Sequence, residues 1–265
     1  MDLLFHTIAV EPARWTPQRT SRDLVLLLPL IAAAGFRRIE VFEPHLTSAA
    51  TSPEIRDAFR SLQLTPEILS SYLNLNPAET SPAVVDANAE IIRARIEYYG
   101  FPRMRLFPGP RMEPSDKAGV REFTARLERL AAMLPGTEIL LETHDGSLAD
   151  DPETITRIVR DLAIPTIGLL YQPTLFEPGD ALRQFAVELP FIRHVHLQNR
   201  HPDLTFASLK EGVIPWVQIF PQLPPTVTAT LEFVPAGICS VEAFDLAATL
   251  LQAKSEAAYI AEISR

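Results

Sequence analysis

The chain has 265 residues, 47% hydrophobic and 22% charged, which suits one α/β domain over 1–265 with a sizeable core. Its formal net charge of −9, from 33 acidic against 24 basic residues, argues against a nucleic-acid partner, and the lone Cys239 excludes an internal disulfide or a thiolate metal cluster. No apolar run reaches the roughly 18 residues of a membrane-spanning helix, and the opening Met-Asp-Leu-Leu-Phe-His shows no secretory signal. The expectation is a cytoplasmic protein with a small-molecule partner and no membrane contact, its oligomeric state left open.

In chain order, Leu3–Val10 reads as a first strand and Ser21–Gly35 as a helix capped by Ser21 and Gly35, with Pro29 inside. Phe36–Phe42 is a second strand, Ser52–Leu62 a short helix, and Glu67–Leu75 a third strand. Ser81–Tyr99 is a helix with Pro82 in its first turn and Gly100 as its stop, and Met104–Phe107 is a fourth strand. The helix Ser115–Met133, the strand Thr137–His144 and the helix Asp151–Leu162 follow, the last with Ile155, Ile158, Val159 and Leu162 on one face. Then come the strand Thr166–Gln172, the helix Gly179–Leu189, the strand Ile192–Gln198 and a short helix at Ile214–Leu223. The strand Val227–Phe233 and the helix Val241–Ser264 close the chain. Eight strand–helix alternations predict a single (β/α)8 TIM barrel. The rival, an open doubly wound sheet with a dinucleotide site, lacks its Gly-x-Gly-x-x-Gly turn.

In such a barrel the site forms at the carboxyl ends of the strands. The later strands deliver Glu142 and His144, then Gln172, then His194 and His196, then Glu232. Carboxylates, an imidazole and an amide in one mouth make an oxygen and nitrogen ligand set, suited to Mn²⁺, Mg²⁺ or another divalent first-row ion.

Four stretches then resemble the xylose-isomerase-like TIM barrels, a family of ketose 3-epimerases, hydroxypyruvate isomerase and inosose-processing enzymes. Leu-Leu-Glu142-Thr-His144 is similar to its Leu-Glu-Asn-His segment, and His194-Val-His196-Leu-Gln198-Asn199 to its His-Val-His-Leu-Lys-Asp segment. Glu211-Gly-Val-Ile-Pro215-Trp216 and Thr230-Leu-Glu232 resemble its Gly-x-x-Pro/Asp-Trp helix and Leu-Glu strand. The resemblance implies a metal (Mn, Mg, Co or Zn) on Glu142, residue 172, His196 and Glu232, with Glu142 and Glu232 moving protons during sugar or polyol isomerisation or epimerisation. Gln172 stands where the family has an aspartate, so the expected metal affinity is weak. The alternative is an impaired barrel that binds a carbohydrate-like ligand with little or no metal. Abasic-site DNA repair, known in the same superfamily, would need more metal-binding His and Asp residues and a basic face.

Around this set, His144, His194, Arg200, Glu40 and His6 are candidates for substrate contact. Glu40 reads equally as a rim salt-bridge partner of an arginine, Arg200 as a loop charge, and His6 and His45 as structural histidines. Trp15 and Trp216 read as packing. The basic stretch Arg93–Arg105 reads as a solvated helix face plus connection.

Overall fold

Parallel strands buried on both faces read as apolar runs, and eight of them close the barrel. The computed structural model describes residues 3–46, 51–111 and 116–264. Its strands are β1 (Leu3–His6), β2 (Arg38–Phe42), β3 (Thr65–Ser71), β4 (Arg103–Leu106), β5 (Glu138–Glu142), β6 (Ile167–Tyr171) and β7 (Ile192–Leu197). The ribbon of β8 (Asn199–Arg200) and β9 (Phe206–Ala207) follows, and β10 (Thr228–Leu231) completes the set. The barrel order is β1-β10-β7-β6-β5-β4-β3-β2, with every pairing parallel. The ribbon lies outside it and has no counterpart in the sequence reading.

Around the barrel run α1 (Leu24–Ala33), α2 (Pro53–Ser61), α3 (Pro82–Tyr99), α4 (Lys117–Met133), α5 (Pro152–Leu162), α6 (Pro178–Glu188), α7 (Trp216–Ile219) and α8 (Leu246–Ile263). Five of their starts, those of α1, α2, α4, α5 and α8, are set by side-chain acceptors. Ser52 caps α2, Asp151 caps α5 by accepting from the Thr154 amide, and Asp245 caps α8 by accepting from the Ala248 amide. Gly100, at φ +78°, ends α3 where a left-handed residue is needed. Gly168 serves packing instead, since a Cβ there would lie 2.2 Å from the Arg193 side chain on β7. Among the described residues no helix is long and apolar enough to cross a membrane.

Several element bounds differ from the sequence reading. The first strand stops at His6, because the His6 ring accepts from the Ile8 amide and turns Thr7–Val10 into a 3-10 helix. Asp23, not Ser21, caps α1; Ser21 donates its hydroxyl and backbone N–H to Glu11. The third strand ends at Ser71, whose hydroxyl accepts from the Leu73 amide and bends the chain. The last helix begins only after Asp245. Ser115, the expected start of the fourth helix, lies outside the described residues, and Asp116 caps α4.

Candidate active site

Side chains two apart on a strand share a face, so inward residues stack in layers along the barrel axis. Leu4, Ile68, Leu140 and Leu170 form a fully buried apolar cluster of their own. Two positions further along the same four strand directions stand His6, Ser70, Glu142 and Gln172. The barrel interior therefore turns from apolar to polar within one step of the pleat.

His196 is the hub of the polar layer. Its Nδ1 lies 3.2 Å from Glu142, 3.4 Å from Glu232 and 3.2 Å from the Gln172 oxygen. Its Nε2 faces both oxygens of Glu40, at 3.0 and 3.1 Å. Burial opposes a charge on this ring, but Glu40 and Glu232 outweigh it and hold its pKa well above the ordinary value. Carboxylates on both ring nitrogens of His196 thus favour its charged form as long as no ion is bound. Burial would likewise raise Glu40, yet His196 and His6 hold that carboxyl well below its usual range.

His6 and His194 support this hub as neutral rings. The Ile8 amide donates to His6 Nδ1, which leaves the proton on Nε2, 3.1 Å from Ser70 Oγ and 3.3 Å from Glu40. Burial pushes the His6 pKa down to about 3. His194 meets the hydroxyls of Thr228 and Thr230 at 2.6 and 2.7 Å, with Glu40 at 3.8 Å, and burial lowers it to about 4.

Above this layer opens a cavity of about 990 Å³. Glu232, Gln172, Gln198 and Arg105 face it, while Glu142 and His196 are fully buried just behind them. His144 and Arg200 stand at its rim. The His144 ring packs edge-on to Phe107 at 5.2 Å, and its Nδ1 lies 2.7 Å from the Asp145 carbonyl. The structure gathers Glu142, Gln172, His196 and Glu232, four of the residues expected at the carboxyl ends of the strands, into one cluster. Glu40, His6 and His194 are placed beneath it, sealed from the cavity and bonded to one another rather than to an arginine.

Two site residues escaped the sequence reading. Arg105 is no solvated connection: its Nη2 lies 2.6 Å from Glu142 Oε2, and its Nη1 donates to the Ser71 carbonyl at 3.1 Å. The contact with Glu142 is an ion pair without hydrogen-bond alignment. Burial alone would raise Glu142, but the Arg105 charge prevails and the carboxyl falls to about 2. The signal was the alternation Arg103-Met104-Arg105-Leu106: in a barrel strand, two arginines two apart share a face, here the interior. Arg93, by contrast, is exposed and paired with Glu90 and Glu97, as a solvated helix face should be. The second is Gln198, legible as a replacement for the lysine of the resembled segment but not as a site residue, whose amide donates to Glu232 at 3.1 Å. Trp216 is core, its indole donating to the Gln198 carbonyl at 3.2 Å. Trp15 is not packing; it is 64% exposed at the cavity mouth.

The donor set fits a divalent ion. Ligand atoms of Glu142, His196 and Glu232 lie within 4.8 Å of one another, and the Gln172 amide, whose oxygen can turn toward a cation, reaches the same place. Arg105 engages Oε2 of Glu142, and it is Oε1 that faces His196. A second set, His6, Glu40 and His196, is as close-knit but sealed from the cavity. The Gln172 amide has a second role open to it. Turned over, its nitrogen donates to Glu142 at 3.1 Å and Glu232 at 2.8 Å, tying the carboxylates together without a cation.

Residues 28–262 match the sequence model of a family described as xylose isomerase-like TIM barrel. The chain belongs to that family. Among solved structures it is similar to the probable 3-DHS dehydratase AsbF of Bacillus anthracis, at 17% identity over 98% of this chain and 99% of that one, TM-score 0.77. It is similar also to an IOLI protein with a bound zinc atom, at 14% identity over 100% and 98% of the two chains, TM-score 0.75. A third is the D-psicose 3-epimerase of Clostridium cellulolyticum H10 with D-tagatose, at 12% identity over 100% of both chains, TM-score 0.71. At these identities the likeness is one of fold, and the neighbours' own names include an epimerase and a probable dehydratase. No curated protein matches the sequence.

Proposed function

We propose that the chain is a divalent-metal-dependent isomerase or epimerase that moves a proton beside the carbonyl of a small sugar or polyol derivative. The observation that carries this reading is the convergence of Glu142, His196, Glu232 and the Gln172 amide directly under an open cavity. Glu142, Gln172, His196 and Glu232 would hold the ion. Bound there, Mn²⁺, Mg²⁺, Co²⁺ or Zn²⁺ supplies polarisation of a carbonyl oxygen, without which a carboxylate is too weak a base for the adjacent C–H.

The protein's own groups then divide the work. Glu232 is the carboxylate that faces the cavity, so it takes the proton first. Gln198 donates to one of its oxygens and fixes its orientation. Glu142, the second carboxylate of the cluster, is the partner that returns a proton. Glu40 holds the far edge of His196, so that its Nδ1 always faces the cluster. An ion must displace the proton on that nitrogen, so metal affinity falls as pH falls. The zinc-bound and tagatose-bound relatives of the same fold support the reading.

One observation favours a second reading. Gln172 and Arg105 together can satisfy both carboxylates with no ion present, as suits a barrel that binds a carbohydrate-like ligand without turnover. Incubation with a panel of ketoses and inososes, adding each of the four metals in turn and resolving products by chromatography, separates the two. Conversion that requires an ion is the expected result; binding of a ketose with no conversion under any metal would leave only the second reading.

A further inference from the structure

The cavity wall beside Glu232 is built of cations and aromatic rings. Arg14 is only 5% exposed, and its guanidinium donates to the carbonyls of Glu11 and Gly237 at 2.6 and 2.7 Å. It lies 4.3 Å from the Trp15 ring and 5.4 Å from Phe233. Arg200, half-buried, donates to the Leu204 carbonyl at 2.9 Å and lies 4.1 Å from the Phe206 ring. Phe206 and Phe233 are in turn 5.5 Å apart, so a continuous aromatic ladder joins the two guanidiniums.

Neither cation has an anionic partner in contact among the described residues. Glu11, the carboxylate nearest Arg14 in sequence, is occupied by His45, Ser21, Thr20 and the Ala13 amide. The Nε atoms of Arg14 and Arg200 are both buried with no hydrogen-bond partner. A buried guanidinium that serves packing alone carries an uncompensated desolvation cost, which a methionine or leucine would avoid. Arg14, buried, and the half-buried Arg200 share one wall of the site with the charge of Glu232 acting on both but in contact with neither, which leaves an anion from outside the protein to complete the compensation. Neutral polyols are poorly served here, because guanidiniums only donate and the ring faces between them offer no acceptor beyond weak π contacts.

We infer that the substrate of this site carries an anionic oxyacid group, a carboxylate or a phosphate, seated between Arg14 and Arg200 while its carbonyl end faces Glu232. The inference rests on the proton-transfer reading above for the placement of the carbonyl, though not for the presence of the anion. Guanidiniums offer planar forks suited to either oxyacid.

Calorimetric titration of three six-carbon ketones tests it: neutral D-fructose, D-fructose 6-phosphate and 5-keto-D-gluconate. At low salt at least one acid should bind about ten-fold or more tightly than fructose, and which acid does so identifies the anionic group. The preference should shrink in 0.5 M NaCl and fall to about three-fold or less in Arg200→Gln. Arg200 sits on a half-exposed ribbon, so that variant should keep its unfolding midpoint; should it not, the salt dependence of the native chain decides. Fructose binding as tightly as both acids, at low salt, overturns the inference. Because binding is read without turnover, an acid preference with no conversion would count against the isomerase reading alone.

Discussion

Gln172→Asp is the perturbation that speaks most directly to the site, because it changes charge where the ligand atoms converge. It places a third carboxylate beside Glu142 and Glu232, within reach of His196 Nδ1, which now lies 3.2 Å from the amide oxygen. Two unit charges about 4 Å apart at an effective dielectric of about 20 repel by about 4 kcal/mol. The imidazolium of His196 and the guanidinium of Arg105 offset part of this. The metal-free variant should therefore lose about 2–4 kcal/mol of stability. With a divalent ion present the same charge acts in the opposite sense, strengthening binding roughly 30- to 1,000-fold. Calorimetric titration with Mn²⁺ and denaturant unfolding, each with EDTA or excess Mn²⁺, measure both halves. The variant should be less stable than the native chain in EDTA and more stable in Mn²⁺. Gln172→Asn, shorter but neutral, controls for the lost methylene. Equal affinities and equal midpoints in native and Asp forms would refute the reasoning, since residue 172 would then lie outside the ligand set.

Other outcomes follow from the buried charges. Arg105→Met strands the Glu142 carboxylate, and denaturant titration should show a loss of about 3–5 kcal/mol, partly restored by Arg105→Lys; a change below about 1 kcal/mol would mean that Glu142 is compensated elsewhere. The neutral histidines make the metal-free protein acid-labile. His6 falls from 6.5 to about 3 and His194 to about 4, so below pH 6.5 the unfolded chain binds more protons than the native one. Glu188, which burial raises to about 8, holds a proton in the native state and acts in the opposite sense above its unfolded value of 4.5, so from about pH 6.5 toward 4.5 stability should decline by about 1 kcal/mol per pH unit in all. The raised His196 does not counter this, because its stabilisation is already complete below pH 6.5 and is lost only on the alkaline side. Unfolding midpoints at pH 7, 5.5 and 4.5 check the slope, and a flat profile would contradict the buried neutral assignment.

The barrel was legible because strand and helix signals alternate with little interruption, and because Glu142, His196 and Glu232 end apolar strands. What the sequence hid depends on direction rather than identity. Glu40 and His6 look like rim groups until the register places them under His196, where His6 pairs across from Glu40 on β2. Arg105 hid inside a basic stretch in which Arg93 is a solvent-facing helix residue while Arg95 and Arg103 are buried like Arg105 itself, a difference that composition alone does not mark. Trp15 and Arg14 lie in an irregular segment after β1 with no period to read, and they reach the cavity only through the turn that His6 and Glu11 impose. Strand ends are marked by polarity, whereas loop side chains aimed at a cavity leave no pattern.

In the proposed reaction Glu232, which faces the cavity, removes a proton from carbon beside a carbonyl. Deuterium wash-in measures that step without needing the product. A ketone shown to bind is incubated in D₂O with Mn²⁺ and followed by NMR, for the native chain and for Glu232→Gln. The native chain should place deuterium on the carbon next to the carbonyl, and the variant should place none while keeping its unfolding midpoint. Incorporation at the native rate by Glu232→Gln, or none by the native chain with any ketone it binds, would contradict the claim.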